Sequence, residues 1–159
     1  MQTYSKKAFT MVELVFVIVV IGILAAIAVP KFAATRDDAT ITKAMATIGS
    51  VRSALATERQ KRILRGNFDK IYELSSTNTA GTDIFDGFDK NVSEPVLEYP
   101  LRSCTSGAKG CWSIATFGST GTDAVYNYNM PTSGIVAFTL SNNRFNCPSS
   151  DANCQLLTK

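Results

Sequence analysis

Cys104 and Cys111 have six residues between them, and so do Cys147 and Cys154. A thiol pair at that spacing can oxidise to a disulfide or, as thiolates, ligate zinc. The intervals are not C-x-x-C-like, and the chain has no histidine to complete a mixed ligand set. An even cysteine count beyond the apolar N-terminal segment reads as disulfides in an oxidising compartment. Four cysteines allow three pairings; the short, turn-rich intervals favour Cys104–Cys111 and Cys147–Cys154. The missing histidines also remove histidine-based triads and pH switching. The sequence carries no P-loop, and neither cofactor nor metal is expected.

The second chemically telling residue is Glu13. It is the single charge in a twenty-one-residue stretch from Phe9 to Val29. A carboxylate at membrane depth costs a few kcal/mol, so it needs a partner. Asp83, Asp86, Asp89 and Asn91 form a third group, but their spacing departs from a calcium-loop pattern and reads as a solvated turn. Asn91-Val92-Ser93 is an N-x-S sequon with Asp89 two residues ahead, which makes Asn91 a candidate glycosylation site. Arg59, Lys61, Arg62 and Arg65 could meet DNA phosphates, or could serve a helix C-terminus as cations.

These residues need elements to hold them. At about 1.5 Å per residue, residues 9–29 make a helix of roughly 31 Å, enough to cross a bilayer core. Its valines and isoleucines are poor helix formers in water, but lipid enforces the helix because unpaired backbone groups are not tolerated there. Gly22 and Pro30 are points where it could loosen. Lys6 and Lys7 keep the leading end cytoplasmic. Beyond Pro30, the three- and four-residue spacing of Ile41, Met45, Ile48, Val51 and Leu55 marks one apolar face, and Gly66 suits a C-terminal cap. The expectation is one continuous helix from about Phe9 to Arg65.

From Asn67 to about Pro100 the chain reads as loop. Strand signals follow at 111–117, 124–128 and 135–140, with a weaker one at 144–147. They imply an antiparallel meander that buries Trp112, Ile114, Val125, Val136 and Phe138 against the helix. The fold class is therefore α+β: a long N-terminal helix packed on a small antiparallel sheet. Four segments are expected: 1–8 as leader, 9–30 as membrane helix, 31–66 as the amphipathic half, and 67–159 as head.

The formal net charge is only +3. Residues 31–65 together with Glu13 carry eight basic and four acidic residues, while 67–159 carry six basic and nine acidic. A mildly acidic head argues against a DNA-gripping domain.

The run Lys6-Lys7-Ala8-Phe9-Thr10-Met11-Val12-Glu13-Leu14, with the apolar stretch to Pro30, resembles the prepilin N-terminus of type IV pilins and of the pseudopilins of type II secretion and DNA-uptake machines. The family usually has Gly before the cut, where this chain has Ala8. The resemblance implies cleavage by prepilin peptidase between Ala8 and Phe9, and N-methylation of Phe9. It also implies a filament in which the Phe9 amine of one subunit meets Glu13 of another. The implied partners are other pilin-like subunits, an assembly platform protein and an assembly ATPase. The implied location is the bacterial inner membrane, spanned once, with the C-terminal domain in the periplasm or in a surface filament. The chain would be structural, not an enzyme. The competing reading takes Ala26-Ile27-Ala28 as an ordinary signal-peptidase site that releases a soluble, disulfide-bonded binding protein. Glu13, the length of the apolar run and Pro30 stand against it.

Overall fold

The computed structural model describes residues 9–105 and 107–159, leaving aside the side chains of Pro30, Ala33 and Ala34. It contains α1 (Met11–Leu64), β1 (Asp83–Ile84), β2 (Leu101–Arg102), β3 (Cys111–Thr116), β4 (Ala124–Asn129), β5 (Ile135–Ser141), β6 (Arg144–Asn146) and α2 (Ala152–Leu157). The expected fold class stands: a long N-terminal helix followed by antiparallel sheet, a pilin-like α+β arrangement. The chain forms two compact units, one ending at Arg36 and the other running from Asp37 to Lys159. The boundary falls inside α1.

In the first unit the helical assignment continues through Gly22 and Pro30. Pro30 brings no N–H, so the Ala26 carbonyl lacks its usual helical donor. Met11–Val29 is long and apolar enough to cross a membrane. Its large side chains are exposed along the whole stretch, Phe16 at 69% and Ile23 at 61%. An apolar surface of that extent requires lipid or other protein around it.

The second unit has its own core. Ala44, Ile48, Val51 and Leu55 of α1 are buried, with Ile41 and Met45 packed at the margin. Opposite them lies the sheet β3-β4-β5-β6, antiparallel throughout. The core it closes is mostly aromatic: Phe138 stacks on Phe145 with ring centroids 5.0 Å apart, and Phe85 meets Trp112 edge-on at 5.5 Å. Asn142 and Asn143 take positive φ in the two-residue turn between β5 and β6, as a tight hairpin requires.

One sheet face was misassigned from sequence. Trp112, Val136 and Phe138 are buried as expected and Ile114 packs against the core from its margin, but Val125 is only half-buried and lies outside the core cluster. Trp112 pairs with Tyr128 across the β3–β4 register. Strand alternation then turns Tyr126 and Ala124 inward with Tyr128 and sends Val125 to the other face. The tyrosines can be buried because their hydroxyls find partners: Tyr128 donates to the Thr40 carbonyl at 3.2 Å and Tyr126 to Glu73.

α1 ends in a Schellman cap. Gly66 has φ +76°, its N–H donates to the Ile63 carbonyl at 2.9 Å, and the Asn67 N–H donates to Arg62 at 2.9 Å. The region expected to be loop holds the short β1–β2 pair. The turn-rich interval closed by Cys147 and Cys154 leads into α2, which Asp151 caps by accepting from the Asn153 N–H at 2.8 Å.

Cys104 is bonded to Cys111 and Cys147 to Cys154, with Cα atoms 5.7 and 5.9 Å apart. The second bridge pins α2 to the end of β6. Replacing Cys147 and Cys154 together by Ala should lower the stability of this unit by about 2–3 kcal/mol, seen as an earlier urea midpoint. An unchanged midpoint would mean that α2 is held without it.

Candidate functional site

The start of α1 is built from Thr10 and Glu13. Glu13 Oε2 accepts from the Thr10 N–H at 3.0 Å and from the Thr10 hydroxyl at 2.9 Å. In return, Thr10 Oγ1 accepts from the Glu13 N–H at 3.2 Å. This is a capping box, with Thr10 at the N-cap and Glu13 three residues on. The T-x-x-E spacing was present in the sequence, and its capping role was overlooked there. Glu13 Oε1 has no hydrogen-bond partner among the described residues. Half of the carboxylate thus closes its own helix, and half is available to another donor. Phe9, the residue ahead of the box, is 84% exposed. Ala8, the other residue of the expected cleavage site, lies outside the described residues, as do Lys6 and Lys7.

The family model for the prokaryotic N-terminal methylation motif matches residues 4–29. The N-terminal segment thus matches that methylation motif. Its relatives include the type IV narrow pilus major component PilA5 of Thermus thermophilus, 54% identical over 50 residues, which make up 31% of this chain and 43% of that protein. A fimbrial protein of Pseudomonas aeruginosa is 39% identical over 62 residues, 39% of this chain and 38% of the relative. The type II secretion system core protein G of Pseudomonas aeruginosa is 25% identical over 126 residues, 76% of this chain and 89% of the relative. The matches thus span less than half the length of the first two relatives and most of the third. No solved structure matches the chain.

The matched motif covers Glu13 and Phe9. The basic cluster, the acidic turn, Asn91 and the four cysteines fall in the second unit. Arg62 pairs with Glu58 at 2.8 Å and Asp89 at 2.6 Å, and Lys61 with Glu94 at 2.7 Å and Glu58 at 3.2 Å. Arg65 reaches Glu94 at 3.5 Å, and Arg59 donates to the carbonyls of Phe68 and Asp69. The hydrogen bond from Lys61 holds the Glu94 carboxyl below its ordinary value and raises Lys61 in turn. These cations tie the end of α1 to the loop that follows it, so phosphates would have to compete with carboxylates already in place.

The acidic turn is similarly occupied. Asp86 accepts from the Ser76 N–H at 2.8 Å and from the Ser76 hydroxyl, and Asp89 accepts from the Tyr72 N–H at 2.8 Å. Among the described residues no cluster of three or more potential metal ligands occurs. Asn91 is exposed, but its Oδ1 accepts from the Ser93 N–H at 3.1 Å, and Asp89 is committed to Arg62 and the backbone.

Glu73 escaped the sequence reading altogether. It is fully buried. Oε1 accepts from the N–H groups of Leu74 (2.8 Å) and Ser75 (3.2 Å) and from the Tyr126 hydroxyl, and Oε2 from the Gly118 N–H at 2.5 Å. Burial pushes its carboxyl up to about 7, against the opposing pull of the Gly118, Leu74 and Ser75 hydrogen bonds and of Lys90. It is a strap joining residues 72–75 to the sheet.

Proposed function

We propose that the chain is a structural subunit of a helical filament. It is made with a leader of residues 1–8, cut between Ala8 and Phe9 by prepilin peptidase, and methylated on the Phe9 amine. The apolar helix anchors it in the bacterial inner membrane with the second unit on the periplasmic side. An assembly platform protein and a separate ATPase then move it into the filament beside other pilin-like subunits. The observation that carries this reading is the methylation motif ending in an exposed apolar helix. The open Oε1 of Glu13 supports a further contact: a neighbour's Phe9 amine can meet it while Oε2 keeps the Thr10 cap. Between lipid-like walls such a charged pair is strong and directional, and it sets the axial step between subunits.

Intact mass of the mature protein tests the processing. The expected species begins at Phe9 and carries one added methyl group. A species beginning at Val29 overturns the proposal in favour of a secreted soluble protein.

A short secretion filament is favoured over a long surface pilus. A type II secretion core protein matches over 76% of this chain, whereas the narrow-pilus component and the fimbrial protein match over only 31% and 39% of it. Electron microscopy of a deletion strain separates the two. Loss of secretion with surface pili intact is expected, and loss of the pili overturns that choice.

A further inference from the structure

A cleft of about 180 Å³ opens on the second unit, beside Cys111 of the first disulfide and apart from Glu13, the basic cluster and Glu73. Lys43 of α1 and Arg102 of β2 stand on its rim, and Trp112 and Tyr128 line it. Both cations are exposed, and neither pairs with a carboxylate among the described residues. In this they differ from Lys61, Arg62 and Arg65.

Trp112 is the chain's one tryptophan and is 3% exposed. Its indole N–H donates to no residue, yet among the described residues every fully enclosed side-chain N and O has a partner. The N–H therefore belongs to the small accessible part of the ring. An indole N–H can only donate. The Tyr128 hydroxyl gives its proton to the Thr40 carbonyl, and burial pushes its pKa up, which keeps it neutral. No Asp or Glu lines the cleft.

Asp83 stands opposite Arg102 across the β1–β2 register but forms no ion pair with it. Two cations free of salt bridges, an unused donor and an aromatic wall make a receptor for an anion. An arginine fork matches the two oxygens of a carboxylate, a lysine adds a point charge, and the indole adds a third donor. We propose that this cleft binds a carboxylate group, either a small free carboxylate or an Asp or Glu side chain of a second copy. The second source rests on the filament reading. It fits a chain whose helix portion is net basic and whose head is net acidic.

Trp112 reports on the cleft directly. The full chain in neutral detergent micelles is titrated with sodium acetate at constant ionic strength, balanced with sodium chloride, while Trp112 emission is followed. A saturable change is expected, with half-saturation weakened about tenfold or more in Arg102→Gln and by less in Lys43→Gln. Both side chains are exposed, so the variants should fold as the parent does, which circular dichroism checks. No saturable change, or an Arg102→Gln titration matching the parent, overturns the proposal.

The source is read by raising the chain concentration without acetate until subunits associate. The same emission change, absent in Arg102→Gln, assigns the neighbour's carboxylate; unchanged emission on association assigns the free one. If the subunits do not associate at all, the filament reading suffers while the acetate titration still reads the cleft.

Discussion

Gly118→Ala should leave the second unit unfolded, or close to it, at room temperature. A Cβ at Gly118 would lie 1.8 Å from the Tyr72 carbonyl oxygen. That neighbour is backbone and cannot swing aside. The same glycine donates its N–H to Glu73 at 2.5 Å. A methyl group here must expel residues 72–75, and with them the partners of Leu74, Ser75 and Tyr126. Overpacking costs about 1–3 kcal/mol, and each buried polar group left unpaired about as much again. The sum is on the order of 5 kcal/mol, comparable to the whole stability of many domains. Urea unfolding followed by Trp112 emission measures it. A loss below about 1 kcal/mol would show that the strap is not held in this way.

Glu73→Gln is gentler and carries a pH signature. The Gln oxygen can keep the bonds from Leu74, Ser75 and Tyr126, but its NH₂ group then faces the Gly118 N–H, donor against donor. A loss of about 1–3 kcal/mol is expected at pH 5. The Glu73 carboxyl is raised in the folded state, from an ordinary 4.5 to about 7, so the folded chain binds the proton more tightly than the unfolded one. Its contribution is fully present below about pH 4.5 and is lost as pH rises through 7. The parent should therefore weaken between pH 5 and 8, by up to roughly 3 kcal/mol from this group. Glu73→Gln should be flat across that window, and the two curves should converge toward pH 8. Burial favours the protonated form, and the geometry has room for its proton. Its proton can point at the Tyr126 hydroxyl, which has Ser75 Oγ 3.5 Å away to receive its own. Parallel curves for parent and variant would refute the assignment.

Why Glu73 was invisible in the sequence, while α1 and the sheet were plain, has a physical cause. The core face of α1 is written in local spacing: Ile48, Val51 and Leu55 recur at helical intervals, and all three are buried. The four strands of the sheet are short β-rich runs between turn residues, and they fall within a residue or two of their expected ends. Glu73 has no such local signal. Its partners Gly118 and Tyr126 lie 45 and 53 residues away, so only the closed fold shows that the acid is satisfied. Val125 failed for a related reason. Hydropathy put the aliphatic Val125 inside, but distant acceptors let Tyr126 and Tyr128 take the core on the opposite alternation. At the N-terminus the signal was local, and the lone carboxylate was legible at once. Its cap was equally local, in Thr10, but the apolar run drew the reading toward an intermolecular partner alone.

Under the proposed filament reading Glu13 has two roles, the observed cap and the assembly contact, and substitution can part them. Glu13→Val removes both the cap and the charge. Glu13→Gln keeps the cap, because Gln serves at the third helical position as Glu does, and removes only the charge. Thr10→Val does the reverse, dropping the reciprocal hydroxyl while leaving Glu13 ionisable. If the neighbour's Phe9 amine meets Oε1, the charge is what assembly needs. A hydrogen bond to a charged group contributes about 1.5–3 kcal/mol, so each subunit contact should weaken about tenfold or more. Both Glu13 variants should then lose filament incorporation by at least that factor, while the membrane-bound pool persists because neutral side chains lie more easily in lipid. Thr10→Val should lose less, since a missing cap costs about 1 kcal/mol. Pulse-labelled subunits, separated into membrane and sheared-filament fractions, give the ratio. Normal incorporation of Glu13→Gln would mean that the carboxylate serves only its own helix. The axial step would then be set by apolar packing along Phe9–Val29, and the half-free carboxylate would be a consequence of the capping box with no part in assembly.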